Sequence, residues 1–298
     1  MRHAIARRAA LGTLVAGAAG LASCTTVPGR RHSSRPLGLA DLTVMSALSR
    51  DYPATLRAVA AMGYTHFGFR LAGYGKSAAP ELPPAEKARL VHDAGLAVGV
   101  VRYGYGRSFA EQARDAQAIG ASIIAYSAAP VFFRGPALGQ TTRAAFDAWL
   151  PELGTMARIA QDHGLTLAYH NHWWDHAPLE GETPLDLIAA AFSPAQVAFE
   201  IDLAWAWVGG VDPLALVTRL GARVVSLHLK DVDPSRGADR MRQLVEPGAG
   251  RLDYAALLPR LDRVTDAIGY VEVDTPADGM TAAANASRFL HNVRGDRA

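Results

Sequence analysis

Apolar residues along this chain fall into two alternating patterns. Short continuous apolar runs, typical of strands buried on both faces, are followed by longer stretches in which apolar positions recur every three or four residues, as on one face of a helix. Strands are expected at 42–48, 64–70, 97–103, 122–127, 165–171, 197–203, 223–229 and 270–273. Helices are expected at 52–62, 84–94, 109–119, 142–163, 184–191, 213–220, 254–265 and 282–293. Gly63, Gly95, Gly120 and Gly164 stand just past four of these helices, where a left-handed residue ends the last turn. Strands alternating with helices imply parallel strands joined by right-handed crossovers. Eight such units predict a single closed (β/α)8 TIM barrel over residues 37–298. An open doubly wound sheet would need a glycine-rich phosphate turn after its first strand, and Leu48-Ser49-Arg50 is not one.

The alternation does not reach the first 36 residues. Arg2, Arg7 and Arg8 precede an uncharged stretch rich in Ala and Gly, the order of an export signal of the twin-arginine kind. Leu21-Ala22-Ser23-Cys24 has the form of a lipoprotein processing box, which predicts removal of residues 1–24 and lipidation of Cys24. The polar stretch 25–36 reads as a tether, and the expected location is periplasmic, lipid-anchored to a membrane. Cys24 is the only cysteine, so the barrel has no disulfide and no cysteine nucleophile or ligand. Half of the 298 residues are hydrophobic and 19% are charged, the balance of a globular domain with a substantial core. The net charge of +2 includes the three leader arginines, so the mature chain is close to −1, which argues against nucleic acid as a partner.

Polar residues gather at the ends of the last four strands. Side chains two apart on a strand share a face. His170 and His172, Glu200 and Asp202, His228 and Lys230, and Glu272 and Asp274 are therefore same-face pairs at carboxyl ends, the rim on which barrel active sites are built. Any one of them has a bland explanation: Asp231 and Asp274 read as caps or loop braces, and Glu200 is balanced between a structural ion pair and a supporting role near a site. Four adjacent strands that each carry a polar pair are harder to bury without a shared partner, and a divalent cation satisfies carboxylates and imidazole together. Oxygen donors with one imidazole suit Mn²⁺, Co²⁺ or Mg²⁺, and Zn²⁺ accepts the same types. No HExxH, GxSxG or Walker-type loop is present.

With these residues in view, the chain resembles the sugar phosphate isomerase/epimerase family with the xylose-isomerase-like barrel. YHNHWWDH (169–176), FEIDLAWAWVGGVDP (199–213), SLHLKD (226–231), PGAGRLDY (247–254) and YVEVD (270–274) carry the resemblance, which is dense over 164–294 and faint before. It implies Asp202, His228 and Glu272 as metal ligands, with Lys230 beside the metal near a substrate oxygen. For the strand-five ligand it implies Asp175, which stands where relatives have Glu, with His172 as a substitute. Arg70 and Arg102 stand where relatives place Glu or His; either they clasp an anionic or carbonyl-rich substrate or they are ion-pair partners in the barrel floor.

The expected activity is that of a metal-dependent isomerase or epimerase working beside the carbonyl of a sugar or keto-sugar, through an enediolate-type intermediate. Glu272 is the expected base, and His172 or Asp175 returns the proton. His170 and Trp205 are expected to touch substrate, Trp205 by stacking on a sugar ring as Trp173 and Trp174 also could. Expulsion of a leaving group would give a lyase or dehydratase instead, and the altered strand-five and front-half positions leave open a non-catalytic sugar-binding protein. An exported protein is expected to meet unphosphorylated sugars.

Overall fold

The computed structural model describes residues 35–73 and 81–295. The leader, the tether up to Ser34 and the lipidation site Cys24 lie outside the described residues. Eight parallel strands close into a barrel: β1 (Leu37–Ala40), β2 (His66–Arg70), β3 (Ala97–Arg102), β4 (Ile123–Ser127), β5 (Thr166–His170), β6 (Ala198–Asp202), β7 (Val224–Leu229) and β10 (Ile268–Val271). β10 pairs with both β7 and β1, which closes the ring. Two short antiparallel strands, β8 (Asp231–Val232) and β9 (Leu244–Val245), form a hairpin in the loop after β7. Helices cross over between strands and bury their apolar faces on the outside of the barrel. Their first turns are set by side-chain acceptors: Asp51, Ser108, Thr142, Thr183, Asp212, Asp253 and Asp278 each accept a backbone N–H one turn on.

The expected fold is therefore present, with two displaced strands. The first strand is Leu37–Ala40, not 42–48; Asp41–Leu48 is helical. LTVMSAL is uncharged and mostly apolar and fits either period, and Asp41 at the start of the run favours a helix N-terminus. The last strand ends at Val271, so Glu272 lies one residue past it, on the rim. A six-residue helix, Leu203–Val208, follows β6 without a loop and is capped by Asp202, whose Oδ1 accepts from Trp205 N at 3.0 Å.

Inside the barrel, a large residue is seated on small ones. The Tyr270 ring lies against Gly38, Gly68 and Gly99, and a Cβ on Gly38 would stand 2.2 Å from Tyr270 Cδ1. Val100 and Ala125 pack on the same ring. Gly38→Ala is expected to destabilise the protein by about 1–3 kcal/mol through overpacking. Denaturant unfolding checks this, and an unchanged midpoint would mean that the ring has room to move. Tyr270 thus closes the floor, and the polar residues of β3, β5, β6, β7 and the segment after β10 occupy the interior above it.

Candidate active site

Strand register brings the polar ends together. His170 pairs with Glu200 across β5–β6, Asp202 with His228 across β6–β7, and His228 with Tyr270 across β7–β10. Each of these polar residues is at most 4% exposed, so their charges must be balanced locally.

Two layers do the balancing. In the lower layer, Arg102 makes a bidentate ion pair with Glu200, one arm at 3.0 Å and the other shorter. Ser226 Oγ donates to Glu200 Oε2 at 2.8 Å, and His170 Nδ1 stands 3.1 Å from Oε1. Burial works against the Glu200 charge, but Arg102 and His228 override it and hold its pKa well below the usual carboxylate range. Of the two roles left open for Arg102, the structure gives it the ion pair. Glu200 is its partner, and the Arg102 guanidinium also touches His228 Nε2.

In the upper layer, Asp202 Oδ2, His228 Nδ1 and Glu272 Oε2 converge. His228 Nδ1 is 3.6 Å from Asp202 Oδ2 and 3.0 Å from Glu272 Oε2. These three residues offer ligand atoms within 4.8 Å of one another, and all are buried. Asp202 Oδ2 and His228 Nδ1 are buried and held by ion-pair contacts rather than well-formed hydrogen bonds, Asp202 Oδ2 with Lys230 at 3.0 Å and His228 Nδ1 with Glu272 Oε2 at 3.0 Å. Two carboxylates and an imidazole fit a divalent cation, which on binding would replace the contacts among them and require a neutral His228 ring. His170, Glu200 and His228 form a second group within the same distance, but Arg102 already fills its acceptor valences.

Lys230 balances part of the charge. Its Nζ is 3.0 Å from Asp202 Oδ2, 2.6 Å from Glu272 Oε2 and 2.7 Å from Asp274 Oδ2. Burial opposes ionising Glu272, and His228 and Lys230 outweigh it, so the carboxyl is held well below its ordinary value. Burial opposes protonating His228, yet Glu200 and Glu272 raise its pKa to about 9. Asp274, read from sequence as a cap, is instead a partner of Lys230. Its parity with Glu272 was the signal that could have found it. Asp231 is a loop brace as expected: its carboxylate accepts from the backbone N–H groups of Val232, Gly248, Gly250 and Leu252.

The strand-five residues divide. His170 lies in the interior, with Nε2 3.9 Å from Asp202 Oδ2. His172 lines the cavity above the cluster, its ring stacked on Trp174 at 4.5 Å. Burial, reinforced by His170, lowers the His172 pKa well below 6.5, so its imidazole is neutral, and Nδ1 has no hydrogen-bond partner. Asp175 does not join the cluster. The turn Trp173–His176 carries it back beneath the strand, where Oδ1 accepts from Tyr169 OH at 2.8 Å and Oδ2 from His172 N at 2.7 Å. Its oxygens are committed to holding that turn, and desolvation raises its pKa to about 7. Trp205 is not available for stacking on a sugar either. It is fully buried, packed on Trp173 at 4.8 Å and His172 at 5.9 Å, and it supports the wall from behind.

A cavity of about 590 Å³ opens over the cluster. Arg70, Arg102, His170, His172, Lys230, Glu272 and Asp274 are among its lining, with Tyr103, Tyr105, Tyr126, Phe133, Met241 and the cation Arg134. Arg70 is thus placed where it can meet a ligand, its pKa lowered to about 10 by burial. The aromatic residues were not anticipated, because they lie in loops and strands of the front half where no motif marks them.

Residues 56–293 match the family described as xylose isomerase-like TIM barrel. A stretch of 138 residues is 28% identical to the inosose dehydratase of Geobacillus kaustophilus, covering 42% of this chain and 44% of that protein, so the chain spans less than half of that relative's length. Among solved structures, a sugar phosphate isomerase/epimerase from Parabacteroides distasonis superposes with a TM-score of 0.70 at 18% identity, covering 89% of this chain and 96% of the other. The D-psicose 3-epimerase of Clostridium cellulolyticum, solved with D-tagatose, gives 0.65 at 12% identity over 87% and 99%. At such identities these structures speak to the fold.

Proposed function

Since this chain belongs to the xylose isomerase-like TIM barrel family, we propose that it is a metal-dependent isomerase or epimerase that moves a proton on the carbon beside the carbonyl of a sugar or keto-sugar. The observation that carries this reading is the convergence of Asp202 Oδ2, His228 Nδ1 and Glu272 Oε2 beneath a cavity. A divalent cation held there, Mn²⁺ before Co²⁺, Mg²⁺ or Zn²⁺, supplies polarisation of the substrate carbonyl. His172 is the proton carrier: neutral, facing the cavity, and with Nδ1 unengaged. It takes the proton from the carbon and returns it to the neighbouring carbon or to the opposite face through a second group. Both groups are weakened as bases, Glu272 by His228 and Lys230, which stabilise its charge, and His172 by burial, which opposes its imidazolium; His172 is preferred on geometry, since its Nδ1 is unengaged and the ring lines the cavity. The Lys230 ammonium donates to the oxygen that gains charge as the proton leaves. Asp274 gives Lys230 a partner outside the cluster and so holds it toward the cavity.

A second reading is favoured by the stretch similar to inosose dehydratase. There the same deprotonation is followed by loss of a hydroxyl from the next carbon, with Lys230 or a water as proton donor. Incubation with Mn²⁺ and unphosphorylated sugars in D₂O separates the two. An isomerase gives a product of unchanged formula, with solvent deuterium to the extent that the carried proton exchanges with water; a dehydratase gives one lighter by water; neither product nor exchange with any sugar would contradict both.

The leader supports export and attachment of the mature chain to a membrane through Cys24, which favours free sugars over phosphorylated ones. Cys24→Ser is expected to release the protein from the membrane fraction. Retention there would contradict the lipid anchor, and activity confined to sugar phosphates would contradict the argument from location.

A further inference from the structure

The cavity is graded along its length. At the cluster its walls are charged and nearly inaccessible, with Lys230 1% and Glu272 4% exposed. At the mouth they are open, with Phe133 55% and Tyr105 64% exposed and the exposed Arg134 next to Phe133. Large exposed aromatic side chains beside a cavity lose apolar surface only when something covers them. The inner aromatic wall is built rigidly. Tyr103 stacks on Tyr126 at 5.6 Å, and Tyr126 on Trp149 at 6.3 Å, so the platform is tied to the helix Arg143–Asp162. The outer wall is the turn Pro130–Phe133, aimed by Ala128, which holds a left-handed φ of 78° though it is not glycine. Strain of this kind persists only where surrounding structure enforces it, and Ala128 itself lines the cavity. Phe132 and Phe133 then both lean on Trp174, at 5.6 and 5.8 Å. The volume of about 590 Å³ lies in the range of cavities that hold drug-sized molecules, well beyond one hexose.

We propose that the aromatic mouth is a second subsite, and that the substrate is a two-ring molecule: a sugar seated at the Asp202–His228–Glu272 cluster, joined through an oxygen to a second ring that lies against Phe133 and Tyr105. The shared chemistry is a flat apolar face, which either an arene or the C–H face of a second sugar offers. This proposal rests on the sugar-directed reading above and names the substrate class for it.

Calorimetric titration in the presence of Mn²⁺ with glucose, cellobiose and phenyl β-D-glucoside tests it. A two-ring probe is expected to bind about tenfold more tightly than glucose, roughly what one aromatic contact and its buried area supply. That advantage is expected to shrink to threefold or less in Phe133→Ala and in Tyr105→Ala, two exposed positions whose truncation does not open the core. A gain for phenyl β-D-glucoside alone assigns the mouth to an arene, and a gain for cellobiose assigns it to a second sugar. Equal affinity for all three probes, or an advantage that survives both substitutions, overturns the second subsite while leaving the sugar reading standing. If none of the probes binds, the sugar reading fails and the subsite with it.

Discussion

Asp202→Ala is expected to lower kcat/KM by about three orders of magnitude, the scale of losing several kcal/mol of carbonyl polarisation. Asp202 is fixed from three sides. Asn171 Oδ1 accepts its N–H at 2.8 Å, Asn171 Nδ2 donates to its carbonyl at 3.3 Å, and its own Oδ1 caps the helix Leu203–Val208. Only Oδ2 is left to face the cluster. Alanine therefore removes a cap as well as a ligand, a loss of about 0.5–2 kcal/mol in stability. Asp202→Asn separates the two roles, since an amide oxygen keeps the cap but carries no charge for the cation. Asn is expected to restore stability and not turnover. Recovery of both with Asn would mean that Asp202 acts through the helix it caps.

Glu200→Ala is expected to have the largest effect on stability, about 3–5 kcal/mol, because it leaves Arg102 charged and buried without its partner. For a chain of this size that is a fall in Tm of roughly 10 °C. The cost belongs to the orphaned charge more than to the lost bond, so a double substitution behaves differently from either single one. Arg102→Met with Glu200→Leu fills the same volume with apolar atoms and is expected to recover much of the loss. Thermal unfolding of Glu200→Ala, of the double variant and of its two single components checks this, and a double variant as unstable as the sum of its singles would contradict it. The pair also sits against His228, so it fixes the ring that turns Nδ1 toward Asp202 and Glu272.

How much of this was legible in the sequence depended on range. The pairs Glu200/Asp202 and His228/Lys230 could be placed on one face because a strand's period of two needs no knowledge of the rest of the molecule, and apolar neighbours marked them as strand residues. The barrel followed from the repetition of strand and helix. What failed did so where the chain bends or where partners lie far apart. Asp175 was read as a ligand because it follows YHNH, but the turn Trp173–His176 reverses its direction, and only the structure shows Tyr169 waiting for it. Trp205 reads as a stacking surface because it is large and near a strand end, yet its side chain is fully buried on the inner face of the helix Leu203–Val208. The sequence around Arg102 does not separate its two roles because its partner is 98 residues away. The first strand was misplaced because LGLA is only four residues long and the apolar run after it is the stronger local signal.

In the proposed function one cation bridges the tips of β6, β7 and the segment after β10. Crystals soaked in Mn²⁺ and measured for anomalous scattering test it most directly. The account predicts a single strong peak within bonding distance of Asp202, His228 and Glu272, lost in Asp202→Ala. A peak at His170 and Glu200 instead, or no bound manganese in crystals of the unsubstituted protein, would contradict it.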